Sequence, residues 1–250
     1  MENKLNRYVG NFVSCLNQIT EAGERMATAR EAMIRRFSTG RINLWQDGFC
    51  PEGTARINGV TYWCLGEYAP TTQNVMQTLC ANGSGKLLEL VDTVRIGNDL
   101  ALEVIPKIAE EDKFKRPEDR RILIPSRQQE FFAIDPSNLG EVDIARFLAR
   151  DSDLAQDYGK LLRDNCGVKH FNFYQPSGNV NVAAGFWFPG VQHNSSSCFH
   201  GSCSELSSAI GAAYGISTTS KEASADIEEI ISPEETSNII EMLLKNRPKK

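Results

Sequence analysis

Apolar residues near the start of the chain recur in steps of four and three: Leu5, Val9, Phe12, Leu16 and Ile19, then Met26, Met33 and Phe37. Gly23 and Arg30 occupy two positions of the same heptad stripe as defects, and no proline interrupts it. The spacing predicts a long amphipathic helix from about Asn3 to Ser38, stopped by Gly40. At 1.5 Å per residue such a helix is ~50 Å long and outruns a small core. It would pack against a partner chain, break at Gly23 into a helical hairpin, or lie across its own domain.

The period then changes from helical to two. Thr54 to Leu65 places Asn58-Gly59 between two β-rich arms, and Asn-Gly tolerates the positive φ angles of a type I′ hairpin turn. Pro70 with Thr71-Thr72 opens a short helix to Cys80. Residues 87–105 suggest a second hairpin around Gly97-Asn-Asp99. A charged connector with Pro117 spans 109–121 and is the best candidate boundary. Short strands follow at Arg121–Pro125 and Glu130–Ile134, with Asp135-Pro136-Ser137 as a turn.

Val142, Ile144, Phe147 and Leu148 mark one helix. Leu154, Tyr158, Leu161 and Leu162 mark the next, and Cys166-Gly167 stops it. Val168–Tyr174 and Val180–Phe188 alternate, which predicts a helix–hairpin unit over 150–188. The second of these strands is apolar on both faces and should be central in its sheet. Ser204 to Tyr214 reads as a helix. The expected class is α+β, a long N-terminal helix followed by mixed β-hairpins and helices. Its regions are 1–40 (amphipathic helix, possible oligomerisation element), 41–108 (small hairpin-containing region), 121–216 (helix–hairpin unit and Cys/His loop) and 217–250 (polar linker and terminal helix).

Composition narrows the function classes. The chain has 250 residues, 41% hydrophobic and 24% charged, with a net charge of −5. That balance argues against a general nucleic-acid binder, which needs a local excess of Lys and Arg. The basic run 113–121 is interleaved with acids, and the tail Lys245–Lys250 is short, so both read as solvated faces. No apolar stretch approaches the ~18–20 residues of a membrane span, and no secretory signal is visible. Seven widely spaced cysteines do not form the dense, even pattern of a disulfide scaffold. The expected setting is cytoplasmic.

One constellation suggests chemistry. His193, Cys198, His200 and Cys203 fall within eleven residues of a chain that has three histidines in all. Imidazole and thiolate ligands suit zinc, and Cys50 and Cys64 are further ligands that could close such a site. Alternatively Cys203 is a nucleophile at a helix start, where free N–H groups favour thiolate, with His200 beside it and Glu205 as a proton carrier. Buried, inert cysteines are the third possibility. Trp45, Trp63 and Trp187 are either core anchors or a binding surface.

Gly201-Ser202-Cys203 superficially resembles the nucleophile segment of papain-like proteases, but no histidine follows position 200. Cys203-Ser-Glu205 followed by Pro233-Glu-Glu-Thr-Ser237 is similar to the zinc motifs of cytidine-deaminase-like proteins. Two of that family's three ligand positions are changed here, to Glu234 and Ser237. The functional expectation is therefore association with a protein partner or a second copy through residues 3–38. The alternative is a thiol- or zinc-dependent enzyme centred on Cys198–Glu205.

Overall fold

The computed structural model describes residues 5–10, 12–39, 48–69, 99–176, 182–188, 196–200 and 211–217. Its class is α+β, as the patterning predicts, but the long N-terminal helix is not there. The stripe divides into β1 (Leu5–Gly10), α1 (Phe12–Glu21), β2 (Glu24–Met26) and α2 (Ala29–Thr39). The two heptad defects show why. Gly23 has φ +68, a left-handed conformation that ends α1. Arg30 is exposed in the first turn of α2.

A local signal fixes the second start. Thr28 Oγ1 accepts the Glu31 N–H at 3.3 Å, and the Glu31 carboxylate accepts the Thr28 N–H at 2.9 Å. That is a reciprocal capping box. A heptad reading cannot distinguish one helix from a strand–helix–strand–helix succession whose elements each bury one face.

The ten described strands form one branched sheet. Its main path runs β1, β10 (Gly211–Ser217), β3 (Gly48–Ile57), β8 (Val182–Phe188), β9 (Ser196–His200), β7 (His170–Tyr174) and β6 (Phe131–Ile134), with β2 on β10 and β4 (Val60–Cys64) between β3 and β5 (Ile122–Leu123). The Asn58-Gly59 hairpin is present: β3 (Gly48–Ile57) and β4 (Val60–Cys64) pair antiparallel, and both turn residues have positive φ, 50 and 81. β5 (Ile122–Leu123) and β6 (Phe131–Ile134) lie where the sequence predicts. So do α4 (Asp143–Ala149) and α5 (Ser152–Cys166). Asp151 caps α5 by accepting the Asp153 and Leu154 N–H groups, and Gly167 at φ +65 closes it.

Three further expectations are corrected. Residues 99–111 form a helix, α3 (Asp99–Glu111), instead of a hairpin arm around Gly97–Asp99. Its Ile105, Ile108 and Ala109 are buried at three- and four-residue spacing. β7 (His170–Tyr174) and β8 (Val182–Phe188) do not form a hairpin. Instead β9 (Ser196–His200) lies between them, parallel to β7 and antiparallel to β8. Finally, Gly211–Ser217 is strand β10, not the end of a helix. It pairs with β1 over six positions. Small residues such as Gly211, Ala212 and Ala213 read as helix in isolation, and tertiary pairing decides otherwise. As expected, β8 is central, between β3 and β9.

One face of the sheet carries the main core. Met33 of α2, Phe147 and Leu148 of α4, and Tyr158 and Leu162 of α5 pack on Cys50, Trp63, Phe132, Phe171 and Phe173. The other face is covered by α3, with Ile105 and Ile108 against Ala55, Ile57, Tyr62 and Cys64. α1 lies on β1 and β10, burying Cys15, Leu16 and Ile19.

The charged connector is folded against itself. The carboxylate of Asp112, fully buried, accepts the Arg121 backbone N–H at 2.8 Å, its Nε at 3.0 Å and its guanidinium NH2 at 2.9 Å. Arg120 donates to the carbonyls of Lys113 and Lys115 at 2.7 and 2.8 Å. Two of the connector's basic side chains are thus spent on its own backbone and carboxylates. Among the described residues no helix is long and apolar enough to cross a membrane. The helix expected over 70–80, Trp45 and the terminal helix lie outside the described residues.

Candidate functional site

Of the sequence-predicted site residues, the structure places Cys198 and His200 on β9, two residues apart, in a strand and not in a loop. In register, Cys198 stands opposite Asn172 of β7, and His200 stands between Tyr174 of β7 and Trp187 of β8. His193, Cys203 and Glu205 lie outside the described residues. Cys50 and Cys64 do not close a ligand set with each other. Cys50 packs in the core beneath α2, α4 and α5, whereas Cys64 packs beneath α3 on the opposite face. Among the described residues no group of three or more His, Cys, Asp or Glu is placed to hold a metal.

The buried thiols Cys15, Cys50 and Cys64 do not suit nucleophilic chemistry. Burial pushes Cys15 up to about 11 and Cys64 far above the ordinary thiol range. Cys50 is raised by burial first and then by the charge of Glu52. All three stay protonated near neutrality, and a thiol is a poor nucleophile.

Glu52 is the most unusual group of the described chain. It is 3% exposed and lies beneath the start of α2. Its carboxylate accepts the Ala29 backbone N–H at 3.2 Å and a hydrogen bond from the Cys50 thiol. Burial is the largest influence and raises its pKa to about 7. Its own N–H, the Cys50 thiol and the Ala29 N–H pull the other way, while Glu31 adds repulsion. Position explains how a carboxyl comes to be there. β3 carries two more residues than β8 between the pairs Cys50–Phe186 and Gly53–Gly185, so Pro51 and Glu52 form a bulge. Sequence reasoning passed over Glu52, although Cys50-Pro51-Glu52-Gly53 interrupts the alternation of a strand arm with the residues that mark bulges.

The third feature is the β6 end of the sheet. Among the described strands β6 pairs with β7 alone. Phe132 is buried and stacks on Phe173 at 4.8 Å, while Phe131 is 49% exposed and lies on Tyr174 at 5.0 Å. An edge strand presents alternate backbone N–H and C=O groups to whatever approaches it. Glu130 and Asp135, both exposed, bracket the four residues of β6. Asp135 is held below the usual carboxylate range by hydrogen bonds from the Ser137 hydroxyl and N–H. The sequence signals the strand but not its place at an edge, because strand order is a tertiary property.

No family model, no curated protein and no solved structure matches this chain. The functional reading therefore rests on these three places in the fold.

Proposed function

We propose that the protein acts by association with a partner polypeptide that adds an extended strand to β6, which among the described strands pairs on one side only. The observation that carries this reading is the half-exposed Phe131, tilted against Tyr174 beside an edge with no second described neighbour. Strand addition supplies main-chain hydrogen bonds for affinity and leaves alternate side chains to set specificity. The N-terminal segment expected to serve this role buries Cys15, Leu16, Ile19, Met26 and Met33 within the fold, which favours the other end of the sheet for the contact.

Charge selects among occupants. An antiparallel pairing of β6 with a second copy, centred on the strand, sets Glu130 of one chain opposite Asp135 of the other, and like charges directly opposed are unfavourable. The occupant that fits is a strand with a short apolar centre and Lys or Arg at both ends. A cytoplasmic setting suits the free cysteines of the described residues, Cys15, Cys50, Cys64 and Cys166.

The test uses the full chain and a fluorescent peptide of alternating Val and Thr, with Lys at each end. Saturable binding is expected, weakened at least about tenfold by Phe131→Asp and by Glu130→Lys/Asp135→Lys. No saturable binding, or binding indifferent to these changes, overturns the reading. A dimer of the unmodified chain that Phe131→Asp dissociates would instead assign the edge to a second copy.

A second reading keeps the thiol- or zinc-dependent centre at Cys198–Glu205, favoured by one observation: Cys198 and His200 stand two apart on an interior strand. Elemental analysis of untagged protein beside Cys198→Ser/Cys203→Ser tests it. About one zinc per chain, lost in the variant, is the expected result. No metal in either preparation removes it.

A further inference from the structure

We infer, on the basis of strand addition at β6, that the added strand carries a carboxylate side chain opposite Phe132, paired with Arg127. The backbone of β6 fixes where such a strand can bond. The Gln175 N–H donates to the Glu130 carbonyl at 2.8 Å, one position beyond the pair Phe131–Tyr174. Bonded and non-bonded pairs alternate along an antiparallel ladder. Glu130, Phe132 and Ile134 therefore bond towards β7, and Phe131 and Ala133 turn their N–H and C=O groups the other way. The outward ladder ends on both sides. The carbonyl of Gln129 accepts from Gln175 Nε2 at 2.8 Å, and that of Asp135 accepts the Asn138 N–H at 3.0 Å. An added strand thus finds two ladder residues, Phe131 and Ala133, with Phe132 between them.

The surroundings of Phe132 decide what suits the position opposite it. Whichever direction the added strand runs, its residue opposite Phe132 projects to the same face of the sheet, with its Cβ about 4.5–5.5 Å from that of Phe132. On that face the Phe132 ring stacks on Phe173 at 4.8 Å and carries the Arg127 guanidinium over it at 5.1 Å. Stacking on an aromatic ring holds a guanidinium in place without neutralising it. Arg116, Arg121 and Arg146 each pair with a carboxylate. Arg127, which is exposed, has no carboxylate partner among the described residues. An acidic side chain opposite Phe132 therefore gains a charge-assisted bond, whereas a basic one meets like charge. The ends of the added strand lie near Glu130 and Asp135 instead. The partner pattern is basic, apolar, acidic, apolar, basic.

The experiment titrates the full chain with three peptides, Lys-Val-Glu-Val-Lys, Lys-Val-Thr-Val-Lys and Lys-Val-Lys-Val-Lys, each with an N-terminal fluorophore and a C-terminal amide. The Glu peptide is expected to bind about tenfold more tightly than the Lys peptide, with the Thr peptide between them. The chain's net charge of −5 favours the most cationic peptide, so this order cannot come from the long-range field. Arg127→Glu should invert the order, and because Arg127 is exposed the change spares the core. Three affinities within about twofold of one another, a lead for the Lys peptide, or an order that Arg127→Glu leaves unchanged overturns the acidic seat and leaves strand addition standing. No saturable binding of any of the three overturns both.

Discussion

Trp63 and Gln175 are joined by a buried hydrogen bond, the indole Nε1 donating to the carboxamide oxygen at 3.0 Å. The other end of the same amide donates to the carbonyls of Arg127 and Gln129 at 2.9 and 2.8 Å. Gln175 thus ties β4 to the segment that leads into the β6 edge. Gln175→Leu leaves an indole N–H and two carbonyls without this partner. We expect a loss of about 2–4 kcal/mol in urea unfolding, since a stranded buried group such as the indole N–H costs about 1–3 kcal/mol and the two part-buried carbonyls, which water can reach, add less. Unchanged stability would show that water takes over all three bonds.

The pH dependence of stability should be set from two sides by two carboxyls. Glu52 is raised in the folded chain to about 7, above its unfolded value. The folded state therefore holds this proton more tightly, and the stabilisation is fully present below the unfolded value and lost as pH rises through about 7. The size is about 3 kcal/mol at most, and Glu52→Gln should abolish the slope. Asp112 runs the other way: its carboxyl is lowered to about 2, with Arg121 and Lys115 offsetting burial. Its contribution is present above the unfolded value and lost as pH falls towards 2. Urea midpoints taken from about pH 3 to about pH 9 should show a maximum in the mildly acidic range.

Removing the capping box should be measurable on its own. Thr28→Ala deletes the hydroxyl that accepts from Glu31 at the start of α2 and should cost about 1 kcal/mol. Glu31→Ala should cost more, because it also frees Arg25. This cap marks the boundary of what could be read from residues alone. Thr28-Ala-Arg-Glu31 is a local signal and was legible beside the heptad stripe, as were Asn58-Gly59, Asp151 and Gly167. The insertion of β9 between β7 and β8 was not, since the turn at 176–179 reads as a hairpin whichever strand intervenes. Nor was the depth of Glu52, which depends on α2 lying over a bulge a score of residues away.

Gly159 of α5 packs directly on the turn that precedes α4. A Cβ there would collide with the carbonyl oxygen of Pro136, a backbone atom, and then with Leu139. Gly159→Ala should therefore destabilise by more than about 2 kcal/mol, although alanine favours helix. The 3-10 turn Pro136–Glu141 is pinned by Asp135, which accepts from Ser137 at 2.8 Å, so it has little room to retreat. A neutral effect in thermal unfolding would mean that α5 and this turn do not pack as closely as described.

Deleting residues 1–39 separates an appended helix from an integral one. A free amphipathic helix that recruits partners could be removed and leave a folded monomer. Here the deletion takes away β1, which pairs with β10 from Gly211 to Ile216, and β2, which pairs with Gly215, Ile216 and Ser217. It also removes Cys15, Leu16, Ile19, Met26, Ala27, Ala29, Ala32 and Met33, each no more than 5% exposed. Burial of one large apolar side chain contributes about 1.5–3 kcal/mol, so Leu16, Ile19, Met26 and Met33 alone account for about 6–12 kcal/mol, comparable with the whole stability of an ordinary domain, about 5–15 kcal/mol. The truncated chain should lack a cooperative thermal transition by circular dichroism. A cooperative, monomeric remainder would overturn the pairing of β1 and β2 with β10 and return the N-terminal segment to a role outside the fold.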